Sequence, residues 1–412
     1  MNARERFHEV MHFNTEVCAL KWEFGYWGGT VDRFYKEGLP RKYYPRVPDK
    51  VSTPTASLYV PAWNSIAGNS LPEGIAITGG GLYWPTQGFP LDYDIRNYFE
   101  MDKGQILVNV NLLFSPPFEI VILEEDEEHL VYQDIDGVKR HFLKTTGVLP
   151  SGLEYPIKDK QSWLRLKEER LRLDSIENRF PPNWEELLVW YRERDFPLVL
   201  GGYPHGLFGT LAHLMGYDKL FLAYYDDPDL IHDMLQTFTD LWCAVYEEVL
   251  SQVEVDALHI WEDMSFGKGS MISPAIIKNF MVPYYRRLTD FVKAKGVDII
   301  LLDTDGYCFD IIPLLLEGGI TGLYPIEVSC GMDLLKVRKA FPQLQLLGGI
   351  PKGEIAKGKE RIDQILEPVW EVLKSGGYIP FGDHLIPPEV GFSEFTYYRR
   401  KLNELIEKSG RY

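Results

Sequence analysis

Residues 297–327 read VDIILLDTDGYCFDIIPLLLEGGITGLYPIE. An apolar run of strand length, VDIILLD, stops at a D-x-D-G turn. The segment FDIIPLLLEGG then carries apolar residues at helical spacing and closes on a glycine pair, a common helix stop. A second buried strand, ITGLYPIE, follows. Two apolar strands joined by an amphipathic helix make a parallel β/α unit, because a strand without alternation must be covered on both faces.

The same alternation extends outward in both directions. Upstream lie PLVLGG (197–202), a helical segment around LFGTLAHLMG, the helix PDLIHDMLQTFTDLWCAVYEEVLSQ (228–252), the strand VDALHIWEDM (255–264) and the helix PAIIKNFMVPYYRRLTDFVKAKG (274–296). Downstream lie MDLLKVRKAF, LQLLGG (344–349), the helix ERIDQILEPVWEVLKSGG, the strand YIPFGDHL (378–385) and the closing helix FSEFTYYRRKLNELIEKS. These give six strands from residue 197 onward, with room for two more earlier, EVCALKWEF being a first strand. The pattern predicts an α/β protein: a (β/α)8 TIM barrel in one domain spanning 1–412. A doubly wound open sheet is the poorer fit, since no Gly-rich phosphate fingerprint runs from a strand into a helix. Residues 106–144 change style. Alternating β-branched and polar residues, broken by EEDEE and by Asp136-Gly137, predict an antiparallel hairpin insertion at about 100–150, after an N-terminal extension rich in aromatics, Gly and Pro.

Composition narrows the function. The 412 residues carry a formal charge of −17, with pI near 5.1. That disfavours nucleic-acid and anionic-lipid partners, which need clustered Lys and Arg. The opening MNARERFHEVMHF has no apolar h-region, and no run is long and apolar enough to span a membrane. The four cysteines are scattered without a CxxC pair, which argues against a disulfide framework or a cysteine-rich zinc site. A cytoplasmic location is expected.

The chemistry of a β/α barrel gathers at the C-terminal ends of its strands. Those ends carry Glu23, Tyr203 and His205, Glu262 and Asp263, Asp303 and Asp305, Glu327, Lys352, and Asp383 and His384. So many strand-end carboxyl groups suit a metal-binding or acid–base site, because buried carboxylates need a cation, a partner or a proton. Each has a plainer reading: Asp303 or Asp305 as the cap of the next helix, Glu262 or Asp263 in a salt bridge, His205 exposed in its loop, and His213, His232 and His259 as structural histidines.

At these residues the chain resembles a known family. HIWEDMSFGKGSMISP (259–274), LLDTDGYCFDIIPLLLEGGITGLYPIEVSCGMD (301–333) and GGYIPFGDHLIPPEV (376–390) look like the uroporphyrinogen decarboxylase superfamily, and WEFGYWGGTVDRFYKEGLP (22–40) resembles a subgroup found largely in anaerobes. The resemblance implies a (β/α)8 barrel. True uroporphyrinogen decarboxylases carry an arginine-rich loop after the first strand for a substrate with eight carboxylates; Trp22 to Trp27 stand there instead, so that substrate is rejected. The superfamily's methyltransferases hold zinc with a His-x-Cys pair and a later Cys; Asp303-Thr304-Asp305 and Asp383 fall there.

The resemblance therefore implies a methyltransferase component moving a methyl group from a small methoxylated or N-methylated compound to a corrinoid carried by a partner protein. A divalent metal, zinc or a harder cation, would be held by Asp303, Asp305, Asp383 and His384. His384, Glu262 and Asp263 are the acid–base candidates. Glu23, Tyr26, Trp27, Tyr83, Trp84, Tyr203, His205, Trp261 and Glu327 are the substrate-binding candidates. A decarboxylase or other lyase of a smaller substrate is the alternative, and a non-catalytic ligand-binding barrel a third. Related barrels often pair, so a homodimer belongs with these expectations.

Overall fold

The computed structural model describes residues 1–42, 59–60, 92–144 and 150–410. Tyr83 and Trp84 lie outside the described residues. Seven parallel strands form the central sheet: β1 (Ile106–Leu107), β2 (Leu198–Gly201), β3 (Ala257–Trp261), β4 (Ile300–Asp303), β5 (Gly322–Ile326), β6 (Gln345–Ile350) and β7 (Tyr378–Gly382). They pair in strict chain order from β1 to β7. Amphipathic helices cover the outside, among them α1 (Leu207–Met215), α2 (Pro228–Leu250), α3 (Val282–Ala294), α4 (Lys359–Leu373) and α5 (Phe392–Ser409). Strand residues such as Leu198, Val199, Leu200, Ile300, Leu301 and Leu302 have no exposed surface, as expected of parallel strands covered on both faces.

An extended segment near the N-terminus closes the ring. On one side Lys21 O accepts from Asp102 N, and Trp22 Nε1 donates to Lys103 O. On the other, Ile386 N donates to Gly25 O and Trp27 N to Ile386 O. With this segment in place of the eighth strand the sheet is a (β/α)8 barrel. The sequence places a strand over EVCALKWEF. The chain there is extended, with regular pairing only at Tyr26–Trp27.

Glu23 is the pin of that closure. Its side chain is 1% exposed. Oε1 accepts from Gly382 N (2.6 Å) and Oε2 from the Tyr398 hydroxyl (3.1 Å), with Arg399 Nη1 at 3.6 Å. The first and last segments of the barrel and α5 thus meet on one carboxylate. Placed here from its strand-end position as a substrate-binding residue, it serves the fold instead.

The hairpin region divides differently from the sequence reading. Ile106–Leu107 joins the barrel as β1. The antiparallel sheet runs later, over Val121–Glu125, His129–Gln133, Lys139–Leu143 and Ser151–Glu154. The Asp-Gly turn forms as read, with Gly137 at φ +77°, where a Cβ would strike the Phe118 ring at 2.8 Å. No helix among the described residues is long and apolar enough to cross a membrane.

Glu23→Gln tests the pin. An amide cannot accept from all the donors gathered there and turns its own N–H groups toward some of them. The variant is expected to lose about 2 kcal/mol of stability, read as a lower urea midpoint, with ligand affinity unchanged.

Candidate active site

The strand ends open into a cavity of about 310 Å³, lined at its floor by Asp263, Asp303, Asp305 and His384. Phe24, Trp27, Tyr203 and Trp261 form its aromatic walls, and Arg140, Tyr155, His213 and Tyr217 line it further. Tyr203 packs edge-on against Trp261, ring centroids 4.6 Å apart, and Phe24 lies over His384 at 4.8 Å.

The floor is built at two adjacent strand ends. Glu262 N and Asp263 N both donate to Asp303 O (2.8 and 3.3 Å), so the chain after β3 bends over the end of β4. Asp263 accepts a left-handed backbone, φ +46°, a conformation that costs energy for a residue with a Cβ and often accompanies functional sites. After β4, Gly306 at φ +82° passes so close to the Phe266 backbone that a Cβ would lie 2.6 Å from its nitrogen. Asp303 and Asp305 point to the cavity on either side of Thr304, whose hydroxyl accepts from Met264 N.

Asp305 Oδ2 lies 3.3 Å from His384 Nε2. Burial works against charge on both groups, but their hydrogen bond and mutual attraction prevail: the His384 pKa is raised and that of Asp305 lowered. They form an imidazolium–carboxylate pair. Asp305 therefore does not cap the following helical turn, Phe309–Ile311, which has no side-chain cap. The other two carboxyl groups respond oppositely. Burial, and then the charge on Asp305, push Asp303 well above the usual carboxylate range. Asp263 rises to about 7 from burial and the charges of Asp305 and Asp303. Asp303 Oδ2 also lies 3.3 Å from Nε2 of His259, which burial keeps neutral with a pKa of about 3.

Several strand-end residues turn away from this floor. Glu262, fully buried, receives the first amides of α1: Leu207 N (2.7 Å), Phe208 N (2.6 Å) and Gly209 N (2.9 Å), with the Tyr285 hydroxyl at 2.6 Å. It caps a helix N-terminus, where a carboxylate meets orphan donors and the favourable end of the helix dipole. Burial still raises its pKa to about 7. A Cβ on Gly206 would stand 1.8 Å from Trp261 O, so only glycine lets the helix approach so closely. Asp383 is equally committed, accepting from Ser329 N, Ser329 Oγ and Lys352 N at 2.6–2.9 Å. Tyr26 is core, packed between Phe34 and Phe395. His205 is half-buried, its Nδ1 on Gly202 O, and desolvation lowers its pKa to about 3. Glu327 sits behind the floor, accepting from Gly306 N and Lys352 Nζ.

The four residues named for a metal are not gathered into one cluster. Asp383 is spent on the fold, and Asp305 and His384 pair with each other. Among the described residues no three His, Cys, Asp or Glu side chains stand together so as to hold a metal ion.

A barrel whose cavity opens at the carboxyl ends of its strands is the architecture of β/α-barrel enzymes. The chain belongs to the uroporphyrinogen decarboxylase (URO-D) family, a family of enzymes, whose sequence model matches residues 160–398. The match begins after the antiparallel insertion. No curated protein matches the chain in sequence. Among solved structures, a 3-keto-D-glucoside 4-epimerase from E. coli is similar at 11% identity, over 61% of this chain and 96% of that one, with a TM-score of 0.30. A putative vitamin-B12-independent methionine synthase from Listeria monocytogenes is similar at 12% identity, over 53% of this chain and 64% of that one, also with a TM-score of 0.30.

The crowding of Asp263 against two acids yields a stability prediction. Asp263→Asn removes one charge from the cluster, and Asn tolerates the left-handed backbone at least as well. Because Asp in the unfolded chain ionises above about pH 4 while folded Asp263 holds its proton up to about 7, the variant is expected to gain stability already at pH 5 and about 2 kcal/mol more at pH 8. Thermal unfolding at the two pH values checks it.

Proposed function

We propose that this barrel is a methyltransferase component that takes a methyl group from a small, neutral methoxylated or cationic N-methylated compound and passes it to a corrinoid on a partner protein. One observation carries the reading. Among the described residues three carboxyl groups line the cavity, and the two cations lining it are already engaged: His384 by Asp305, and Arg140 by Asp134 and Asp136. A substrate carboxylate would enter against Asp305 without a cation to receive it. Decarboxylation, which needs such a substrate, is therefore the weaker reading. A neutral ether or an N-methyl cation meets no such penalty, and the aromatic walls suit either.

The chemistry asked of the chain is protonation of a leaving group. When the CH3–O bond breaks, its electron pair stays on oxygen, and that oxygen must gain a proton. The corrinoid, a co-substrate brought by the partner, supplies the nucleophile that receives the methyl. Asp263, with a pKa of about 7, is an acid matched to neutral pH. Asp303, kept protonated by burial and by Asp305, offers a second O–H donor. The negative charge of Asp305, paired with His384, favours the protonated form of both. For an N-methyl cation the leaving amine departs neutral, and the carboxyl groups stabilise the positive substrate instead.

Mixing the protein with a corrinoid protein reduced to cobalt(I) and a panel of methyl donors is expected to give the methyl–cobalt absorbance change. Asp263→Asn should lower the rate on ethers about 100-fold. Because the acid acts in its protonated form, the wild-type rate should fall as pH rises through about 7. Carbon dioxide release from a carboxylated substrate, with no change at cobalt, would overturn the reading in favour of a lyase.

A further inference from the structure

The cavity offers its ligand a carboxylate with an open side. Among the described residues the Asp305 side chain has His384 as its one hydrogen-bond partner, at 3.3 Å through Oδ2. The side chain keeps 38% of its surface exposed where it lines the cavity. A ligand that fills the cavity strips water from that surface. A neutral group brings no positive charge in exchange, and enclosing a carboxylate on those terms is costly. A cationic group replaces the lost hydration with direct attraction.

The walls suit such a cation. Trp261 and Tyr203 meet at 75° with ring centroids 4.6 Å apart, so one corner of the cavity is aromatic on two sides. The corner stands beside the acids: Trp261 is the partner of Asp303 in the β3–β4 register, and Asp263 follows it by two residues. Trp27 and Tyr155 add further rings to the lining. Tyr155 is seated against Gly152 and Gly216, where a Cβ would come within 2.4 Å of its hydroxyl and 2.6 Å of its ring. Its place in the wall therefore depends on both glycines.

A ring face is electron-rich, and rings beside a carboxylate hold a cation whose charge is spread over methyl groups. A quaternary ammonium has no N–H to donate, so ring faces give it what hydrogen bonds cannot. The two cations of the lining are themselves paired with carboxylates, Arg140 with Asp134 and Asp136, and His384 with Asp305.

We propose that the cavity is a methylammonium site. It takes a trimethylammonium group against Trp261 and Tyr203, with the positive charge toward Asp305, in preference to a neutral group of the same shape. The inference rests on the cavity being the substrate site of the proposed methyltransferase, and it places quaternary ammonium compounds ahead of ethers as methyl donors. Transfer then breaks a C–N bond. The methyl carbon is taken by the electron pair of cobalt(I), the C–N pair stays on nitrogen, and a neutral tertiary amine leaves without needing a proton.

Choline and 3,3-dimethylbutan-1-ol share a shape and differ in charge, so the ratio of their affinities tests the site. Calorimetry at pH 8 and constant ionic strength is expected to show choline bound at least about tenfold more tightly by the wild type. Asp305→Asn keeps the shape without the charge and should bring the ratio to about one. Trp261→Leu keeps an apolar wall without the ring face and should lower the ratio about threefold. General damage to the cavity weakens both ligands together and leaves the ratio alone. Circular dichroism confirms folding, and the wild-type ratio carries the test where a variant does not fold.

A wild-type ratio near one, a ratio unchanged in either folded variant, or no binding of either ligand would overturn the cation site. Binding needs no corrinoid partner, so the two proposals fail separately. A tenfold ratio with no methyl passed to cobalt from any donor would remove the methyltransferase reading and leave the cation site. Methyl transfer from an ether, with a ratio of one, would do the reverse.

Discussion

The pairing of Asp305 with His384 governs the charge of the cavity. Two aspartates on one strand end, with a third folded over from the neighbouring strand, cannot all be ionised within a few ångströms of one another. His384 stabilises the negative charge on Asp305. That settled charge then works against ionisation of Asp303 and Asp263. A cluster that reads as three negative charges in the sequence becomes one ion pair and two acids. The pair supplies polarity and the acids supply protons, so one interaction divides chemically identical side chains into different roles.

The strand ends hold carboxylates of two kinds, and the distinction is one of donors rather than position. Glu23, Glu262 and Asp383 each accept at least three hydrogen bonds, mostly from backbone amides at junctions where segments meet. They replace the missing partners of a helix start or a strand end, and their burial is offset by those bonds. Asp263, Asp303 and Asp305 have their side chains turned to the cavity, where a ligand can meet them. Asp383 and His384 are adjacent in the chain yet fall on opposite sides of this division.

That division explains what was legible in the sequence. The β/α alternation from residue 197 onward is set by strands buried on both faces and by helices with one apolar face. Both are local patterns, and β2 to β7 fall on the stretches that carry them, β6 running one residue past its own. The location of the site at the strand ends follows from the same alternation. Ile106–Leu107 was read with the hairpins because a two-residue barrel strand leaves too short a signature to separate from its neighbours. Which carboxylates serve the fold depends on amides more than 300 residues away, as for Glu23 and Gly382, and no local pattern records that. His213 looked structural because it lies on a helix. Its partner Asp136 was visible only as a turn residue, and nothing in the spacing of the two shows that the turn reaches the barrel.

The insertion then bears on how the cavity is lined. The acid floor comes from strand ends within residues 160–398, the part that matches the family. Asp136 and Arg140 come from outside it; Arg140 lines the cavity directly, and both meet His213 on a barrel helix. The floor can therefore stay as it is while the far wall changes with the loop grafted over it. The acidic groups facing the cavity therefore come from the barrel itself. The insertion contributes Val138 and Arg140 to the lining opposite them. The same separation lets Asp136 stay ionised apart from the floor, because Arg140 within the insertion pairs with it.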